Sequence, residues 1–386
     1  MKFSILLPTR NRLDLLKLAI ESVRRQDYED WEIVVSDNAS VDDISAFVLG
    51  LRDARLRARR SEQLIPVTDN WNASVDMARG DYVIMLGDDD ALLPGALRAL
   101  DALIALGREP DAIYAQALQY AYPGVVPGHR DAFLQTGYNA FLAGQSTPFS
   151  LDRKIALDMV RGAMSFRILY GFNMQHFVVS RRFIQRLRAK GPFFQSPYPD
   201  YYAANVVLLA AEQVIATPEP IALIGISPKS FGFYYFNERE GDGVDFLQNV
   251  ADPDVVHSLR GELVPGSNMN DSWLCAMQTL ARNFPDLVPA RVGFTRYRRL
   301  QYMELLKEGR RDLVLRSMRW WEYPVYGAVA VLLAVLKLMP GQSVANFRGD
   351  LIRRWFTPVP RFDPRLQNVP YRDILEAASA LGSGLQ

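Results

Sequence analysis

The first 115 residues alternate short apolar runs with segments of helical periodicity. Apolar residues recur three and four positions apart over Leu13–Gln26 and again from Leu93 to Ile104, the spacing of one buried helix face. The apolar runs have the length and composition of buried strands, and they are Phe3–Leu7, Trp31–Ser36, Tyr82–Leu86 and Ala112–Ala115. This alternation predicts an α/β fold in which a mostly parallel sheet has helices on both faces.

Polar residues follow the ends of three of these predicted strands. In an open parallel sheet, ligands bind beyond the carboxyl ends of the strands, where such side chains converge. The candidate site residues are therefore Thr9, Arg10 and Asn11 after the first strand, Asp37, Asn38 and Ser40 after the second, and Asp88, Asp89 and Asp90 after the third.

The acidic triplet Asp88–Asp90 is the most informative of these groups. Three adjacent carboxylates repel one another at the end of a buried strand unless a cation neutralises them. Mg²⁺ or Mn²⁺ does so when it is shared with a diphosphate, because these ions combine a few carboxylates with phosphate oxygens. The alternative is an acidic loop that caps the helix beginning near Pro94.

Length and composition narrow the class of protein. A chain of 386 residues can hold a main domain and a substantial extension, and its net charge of +1 provides no global field for nucleic acid. Cys275 is the only cysteine, which excludes an intramolecular disulfide framework and fits a reducing compartment. The apolar start is too short for a signal peptide, since Pro8–Arg12 follows where a cleavage site would lie.

Four motifs occur in a fixed order over roughly the first 110 residues, and together they resemble family 2 glycosyltransferases. They are Ile5–Arg12 (ILLPTRNR), Trp31–Ser40 (WEIVVSDNAS), Asn70–Ser74 (NWNAS) leading to Ala78–Tyr82 (ARGDY), and Leu86–Asp90 (LGDDD). The resemblance implies a fold of the GT-A type and a nucleotide-sugar donor, most often UDP-linked, with Mn²⁺ or Mg²⁺ as the cofactor.

The resemblance also assigns roles to residues. It implies that Asp89 and Asp90 contact the metal, with Asp89 the first choice. The implied nucleotide-sugar contacts are Pro8, Thr9, Arg10 and Asn11 beside the nucleotide, Asp37 at the base, Asn72 and Arg79 along the nucleotide, and Asp88 on the ribose side. Gly87 stands where many relatives carry an acidic residue, which leaves the metal register open.

Structural alternatives remain for several of these residues. Asp37 and its neighbours could cap the following helix, because Asp, Asn and Ser all do so well. Asn70 and Asn72 could be turn residues. Arg10 and Arg12 could be solvated surface charges.

The middle of the chain contains one candidate for the acceptor chemistry. Gly191–Tyr202 is a Pro-rich, aromatic segment that carries Asp200 to the start of the apolar helix Ala203–Ala211. By resemblance, Asp200 occupies the place of the catalytic base of inverting members, and the alternative is a cap of that helix. His176 and Lys229 are weaker candidates, the first for the acceptor side and the second for the departing diphosphate.

The last third contains an unusually apolar segment, Gly327–Leu336. It is shorter than the roughly 20 residues of a spanning helix. Its flanks contain Arg310, Arg311, Arg316, Arg319, Trp320 and Trp321 on one side and Lys337, Arg348, Arg353, Arg354, Trp355 and Phe356 on the other. Basic and aromatic flanks are typical of a helix that lies on an anionic membrane. A buried packing helix is the equal alternative, and a transmembrane span is the third.

The sequence thus predicts a catalytic domain over 1–225, divided into a nucleotide-sugar half (1–115) and an acceptor half (116–225), and a mainly helical extension over 226–386. The predicted function is metal-dependent, inverting transfer of a sugar to a glycan or lipid-linked hydroxyl. The expected location is the cytoplasm, with peripheral contact at the inner face of the plasma membrane as a further expectation. The alternatives are a non-catalytic sugar-nucleotide-binding protein, a membrane-attached scaffold, and a nucleotidyltransferase. The last usually needs a glycine-rich phosphate loop near the first strand, and Pro8–Arg12 contains no glycine.

Overall fold

The computed structural model describes residues 1–136, 139–237, 252–339, 341–356 and 367–384. Its strands are β1 Phe3–Thr9, β2 Trp31–Asp37, β3 Leu56–Arg60, β4 Tyr82–Met85, β5 Ala91–Leu92, β6 Ala112–Ala121, β7 Ala132–Gln135, β8 Phe149–Ser150, β9 Phe177–Ser180, β10 Val214–Ile226 and β11 Gln367–Val369. Its helices are α1 Leu13–Arg24, α2 Ile44–Gly50, α3 Val67–Met77, α4 Ala96–Leu106, α5 Arg153–Met164, α6 Arg181–Leu187, α7 Pro199–Ala210, α8 Phe231–Phe236, α9 Pro253–Leu259, α10 Asn268–Asn283, α11 Phe294–Lys307, α12 Arg311–Ser317, α13 Glu322–Leu338, α14 Gln342–Phe356 and α15 Ile374–Gly384.

The sheet confirms the predicted α/β class. Along its main path the strand order is β11-β7-β6-β9-β4-β1-β2-β3, and β10 adds to β5, β6 and β8. β1 runs parallel to β2 and β4, β2 runs parallel to β3, and β6 runs parallel to β10. β9 lies antiparallel between β4 and β6, so the sheet is parallel from β4 to β3 and mixed beyond β4.

The apolar runs form strands because both faces of the sheet are covered. All seven residues of β1 and of β2 are buried, as parallel strands with helices on both faces require. Ile5 and Leu7 pack into one hydrophobic cluster and Leu6 into another, on opposite faces of the sheet. In the β1–β2 register Thr9 lies opposite Asp37, so two of the predicted site residues end neighbouring strands.

The C-terminal region packs against elements that precede residue 225, and the predicted division there stays a prediction. Trp273 and Met277 of α10 belong to the cluster that contains Tyr201 of α7. Ile374 of α15 packs with Leu93 and Leu223, and β11 pairs with β7 at the sheet edge. Residues 238–251 and 357–366 of the predicted extension lie outside the described residues.

The apolar segment Gly327–Leu336 forms most of α13 and is not a buried helix. Exposure reaches 64% at Val331 and 84% at Leu338, which contradicts the buried alternative. α13 is fixed at its first turn, where the buried Glu322 accepts hydrogen bonds from Arg298 and Tyr302 of α11. Among the helices within the described ranges, none combines the length and hydropathy needed to cross a bilayer.

Candidate active site

Asp88 lies at the carboxyl end of β4, where two donors hold its carboxylate. Thr9 Oγ1 donates to Asp88 Oδ2 at 2.7 Å, and Arg12 Nη1 donates to Asp88 Oδ1 at 2.7 Å. The Arg12 side chain is only 12% exposed, so it is not the solvated surface charge allowed by the sequence. Arg12 is thus a site residue that the sequence did not single out. The available signal was the acidic triplet itself, which needs a nearby cation.

Asp90 has the surroundings of a structural carboxylate. Its Oδ1 accepts from Gly225 N at 2.8 Å, and its Oδ2 accepts from Gly87 N at 2.6 Å and from Gln175 Nε2 at 2.5 Å. Burial and the charge of Asp89 raise the pKa of Asp90, and these three donors oppose that rise. Since both oxygens are already engaged by fixed donors, this geometry does not fit the predicted role of Asp90 as a metal ligand.

Gly87 and Gly225 allow this arrangement through close backbone approach. A Cβ at position 87 would lie 2.7 Å from Asp90 Oδ2, and one at position 225 would lie 1.7 Å from the carbonyl oxygen of Asp89. A larger residue at either position therefore requires the acidic segment to move. This explains why position 87 carries glycine rather than a further carboxylate.

Asp90→Ala is expected to lower the free energy of unfolding by about 3 kcal/mol, because three N–H groups, two of them buried, lose their acceptor. Asp89→Ala is the matched control at the neighbouring position, where the described hydrogen-bond donor is one hydroxyl. Urea denaturation of the two variants measures the difference. Equal stabilities would show that Asp90 does not anchor the segment.

Asp89 is the carboxylate in the triplet that best fits a metal ligand. Its Oδ2 accepts from Ser227 Oγ at 2.9 Å, while its Oδ1 lies 3.9 Å from Arg12 Nη1, beyond hydrogen-bond distance. Burial raises the pKa of Asp89, Arg12 lowers it, and the charge of Asp88 raises it further. A divalent ion at Oδ1 would favour the ionised carboxylate.

The donor set fits an ion that is shared with substrate rather than one caged by protein. In the part of the chain that the structure describes, no three His, Cys, Asp or Glu side chains converge as a metal cage would require. Mg²⁺ is commonly held by one or two carboxylates together with substrate phosphates. Asp89 can supply such a carboxylate.

Asp37 is fully buried beside Thr9 and is held by two protein donors. Its Oδ1 accepts from Ser40 N at 2.9 Å and its Oδ2 from Arg60 Nη1 at 3.2 Å. The cap of α2 is Asp43, which accepts from Ala46 N, so the helix-cap alternative for Asp37 does not apply. The base contact predicted for Asp37 stays a prediction.

The other residues predicted around the nucleotide fall at two edges of the sheet. Pro8 lies in β1 and Arg10 directly follows its end, and Asn11 Oδ1 accepts from Val41 N at 2.7 Å across the two loops. Arg79 lies at the opposite edge, where its backbone N donates to Ser4 Oγ and Glu32 Oε1 near the starts of β1 and β2. The structure therefore does not bring Arg79 to the predicted nucleotide site.

Asn72 connects α3 to the segment that carries Asp200. Its Nδ2 donates to the Phe194 carbonyl at 2.9 Å, and its Oδ1 accepts from Phe194 N at 3.0 Å. Both hydrogen-bonding groups of the amide are thus used to hold the Pro-rich segment. The structure supports a positioning role for Asn72.

Asp200 lies in the first turn of α7 and is partly exposed. Its Oδ1 accepts from Met174 N at 2.8 Å, so it bonds to another segment instead of capping its own helix, whose cap position is Tyr198. Burial raises the pKa of Asp200 to about 7, and the Met174 N–H opposes the rise. A carboxylate with this pKa can accept a proton near neutral pH.

A short turn, Met174–His176, joins the acidic triplet to Asp200. Gln175 donates to Asp90 while the adjacent Met174 donates to Asp200. The structure therefore brings the triplet and the predicted base to one edge of the sheet, although they are far apart in sequence.

Aromatic side chains form a wall beside Asp200. Tyr198 stacks on Tyr201 with ring centroids 5.1 Å apart, and the ring of Tyr201 lies 4.7 Å from Trp273. Phe172 contacts both Tyr201 and Trp273, at 5.1 and 5.3 Å. Trp273 comes from α10, so the C-terminal region contributes to the packing beside Asp200. We refer to Phe172, Tyr198, Tyr201 and Trp273 as the aromatic wall.

The two weaker candidates have different positions. His176 is fully buried, stacked on Tyr114, with Nδ1 3.0 Å from the Ala115 carbonyl, and burial lowers its pKa to about 4. It is a neutral core residue, which does not fit an acceptor-side role. Lys229 lies at the site edge, where its Nζ is 2.9 Å from Asp14 Oδ1 and its carbonyl accepts from Arg12 Nη2.

Residues 4–169 match the model of a protein family described as "Glycosyl transferase family 2". A Campylobacter jejuni GalNAc(5)-diNAcBac-PP-undecaprenol beta-1,3-glucosyltransferase is 41% identical over 102 residues, which cover 26% of this chain and 33% of the relative. A putative colanic acid biosynthesis glycosyl transferase, WcaA of Escherichia coli, is 33% identical over 24% of this chain and 34% of the relative. The chain thus spans about a third of the length of these two curated relatives.

One solved structure that matches this chain is that of S. aureus TarS 1–349 in complex with UDP-GlcNAc. It is 15% identical, with a TM-score of 0.47, and the match covers 82% of this chain and 89% of that chain.

Proposed function

Because residues 4–169 match the model of glycosyl transferase family 2, we propose that this chain transfers a sugar from a nucleotide-diphosphate sugar, UDP-linked, to an acceptor hydroxyl. One observation carries this proposal: the turn Met174–His176 brings the acidic triplet and Asp200 to the same edge of the sheet. Such an edge supplies what a single displacement needs, a group for the leaving diphosphate and a base for the attacking hydroxyl.

On the donor side, Asp88 and Asp89 have separate tasks. Asp88, fixed by Thr9 and Arg12, would accept from the ribose hydroxyls. Asp89 would hold Mn²⁺ or Mg²⁺, which when bound neutralises the developing charge of the leaving diphosphate. Arg12 places a permanent cation beside Asp88, which offsets part of the negative charge of the segment.

On the acceptor side, Asp200 would remove the proton of the attacking hydroxyl. Its raised pKa, about 7, matches a general base that works at neutral pH. Attack on the face opposite the leaving diphosphate inverts the anomeric centre and requires no covalent intermediate. Tyr198, Tyr201 and Trp273 of the aromatic wall are buried, so the wall would support the segment and helix that carry Asp200 from within the core.

The acceptor in this proposal is a glycan or lipid-linked sugar. The C. jejuni relative is named for a PP-undecaprenol acceptor, and a lipid-linked acceptor would place the reaction at the inner face of the plasma membrane. The protein would then contact the membrane peripherally.

Calorimetric titration with UDP and with GDP, each with and without Mn²⁺, tests the donor assignment. We expect UDP to bind, with affinity that rises on addition of Mn²⁺, because the ion joins Asp89 to the diphosphate. The absence of nucleotide binding by folded protein under every metal condition would remove the transferase proposal and favour a scaffold.

A further inference from the structure

We propose that the outer face of α13 lies in the plane of an anionic phospholipid membrane and attaches the protein to it. The face is defined by Val325, Val331, Leu332, Val335 and Leu338, which are between 43% and 84% exposed. Attachment to a membrane goes beyond the proposed function. Only the delivery of a lipid-linked acceptor rests on that function.

The side of α13 that faces the protein is a narrow stripe. Glu322 and Leu336 are buried, and Tyr326, Val329 and Leu333 between them are half-buried, at helical spacings of three and four. The other positions are exposed and apolar, with no charged residue from Tyr323 to Leu336. A helix on the surface of a water-soluble protein places polar residues on its outer face; α13 does the reverse.

The start of α13 has the side chains that favour a lipid–water boundary. Trp320 is 79% exposed and Trp321 48%, and Tyr323, whose hydroxyl donates to the Leu315 carbonyl, is 45% exposed. Trp and Tyr prefer the headgroup region, where their rings are partly apolar and their polar atoms remain hydrated. These residues would mark the depth at which the helix enters the interface.

Charge identifies the membrane as anionic. Residues 310–356 contain eight Lys or Arg and three Asp or Glu, a net charge of +5 in a chain whose total is +1. Arg310, Arg311 and Arg316 are exposed just before α13, and Lys337 is exposed at its end. An apolar face with basic residues at its ends is complementary to acyl chains under anionic headgroups.

The geometry favours a helix that lies on the bilayer over one that crosses it. The 17 residues of α13 extend about 25 Å at the rise of an α-helix, less than the hydrocarbon core of a bilayer. A second copy of this chain is the competing occupant of an apolar face. The excess of positive charge at both ends would bring like charges together in such a pair, which favours the membrane.

A series of packed contacts connects α13 to the acceptor side. Glu322 of α13 bonds to Arg298 of α11, and Gly293, before α11, donates to the Met164 carbonyl at the end of α5. α5 and α7 pack together, and Asp200 lies in the first turn of α7. A membrane under α13 would therefore be held in a fixed relation to Asp200, and a lipid-linked acceptor could reach it.

Vesicle flotation of the full chain tests the inference, with phosphatidylcholine vesicles that contain or lack phosphatidylglycerol. The test variant is Val331→Asp with Leu338→Asp, two exposed positions seven residues apart on one side of α13. The matched control, Leu49→Asp with Leu106→Asp, adds the same charge at positions 81% and 73% exposed elsewhere. We expect the native chain and the control to float with phosphatidylglycerol vesicles, and the α13 variant to bind at least about tenfold more weakly.

UDP titration and light scattering of the same samples separate the possible results. UDP binding retained by the α13 variant shows that its fold and donor site are intact. Failure of the native chain to bind the anionic vesicles, or equal binding by the α13 variant, would overturn the inference. A lipid-free dimer that the α13 variant dissociates would also overturn it and assign the face to a second copy. Vesicle binding without UDP binding would remove the proposed function and leave this inference standing.

Discussion

Asp200→Asn is expected to lower kcat by about 10²–10⁴ while UDP still binds, because loss of a general base removes the acceptor-activating step and leaves the donor site intact. The amide keeps an oxygen for the Met174 N–H, so the fold is expected to persist. Asp76→Asn, on the exposed surface of α3, is the matched control and should retain full activity. Transfer rates measured at saturating donor, beside UDP titrations, make the comparison.

Under the proposed function, the pH dependence of transfer by the native protein should reflect the pKa of the same carboxyl. A base works only when ionised, so activity is expected to fall as pH drops through about 7, the raised pKa of Asp200. An aspartate with an ordinary pKa would keep the enzyme active down to about pH 4. Rates of native enzyme from pH 5 to pH 9 would locate the fall. Full activity in Asp200→Asn, or an acid limb near pH 4, would contradict the assignment.

Asp89→Ala is expected to abolish the part of UDP affinity that depends on Mn²⁺ and to reduce transfer by at least about a hundredfold, because the metal would lose its protein ligand. In the presence of a chelator the variant and the native protein should bind UDP equally. Ser227→Ala, which removes only the hydroxyl that bonds to Asp89, is the control and should change Mn²⁺-dependent binding modestly. Titration of each protein with UDP, with Mn²⁺ and with chelator, measures the two components.

A persistent Mn²⁺ effect in Asp89→Ala would show that the ion lies elsewhere. The same titration on Asp90→Ala would be hard to interpret, since Asp90 holds three backbone and side-chain donors and its loss is expected to disturb the whole segment.

The strands that the sequence revealed are those that neighbouring strands and helices bury on both faces. β1 and β2 are continuous apolar runs for this reason, and their predicted bounds differ from the observed ones by one or two residues. β6 continues to Ala121, six residues beyond the prediction, because Gln116 and Gln119 interrupt its apolar pattern while their backbones stay paired. β10 was not predicted: Pro218 and Pro220 lie within it, and its register with β6 shifts there.

The site, like the strands, could be predicted from the sequence only in part. Its position at the carboxyl ends of the strands follows from the order of the elements, and the residues of the triplet were visible as a run of carboxylates. The sequence did not reveal which carboxylate is structural, because Asp90 differs from Asp89 through donors that come from Gln175 and Gly225. Arg12 was missed for the same reason, because its partner Asp88 lies 76 positions along the chain.

The aromatic wall lies outside the part of the chain that the family model matches. The matched family region ends at residue 169, whereas Tyr201 and Trp273 of the wall lie after it. Likeness within the family region therefore does not extend to the residues that pack around Asp200, and under the proposed function it does not by itself determine the acceptor. Because Trp273 also donates to the Ala163 carbonyl, a substitution in α10 could alter the packing around Asp200 while residues 4–169 stay the same.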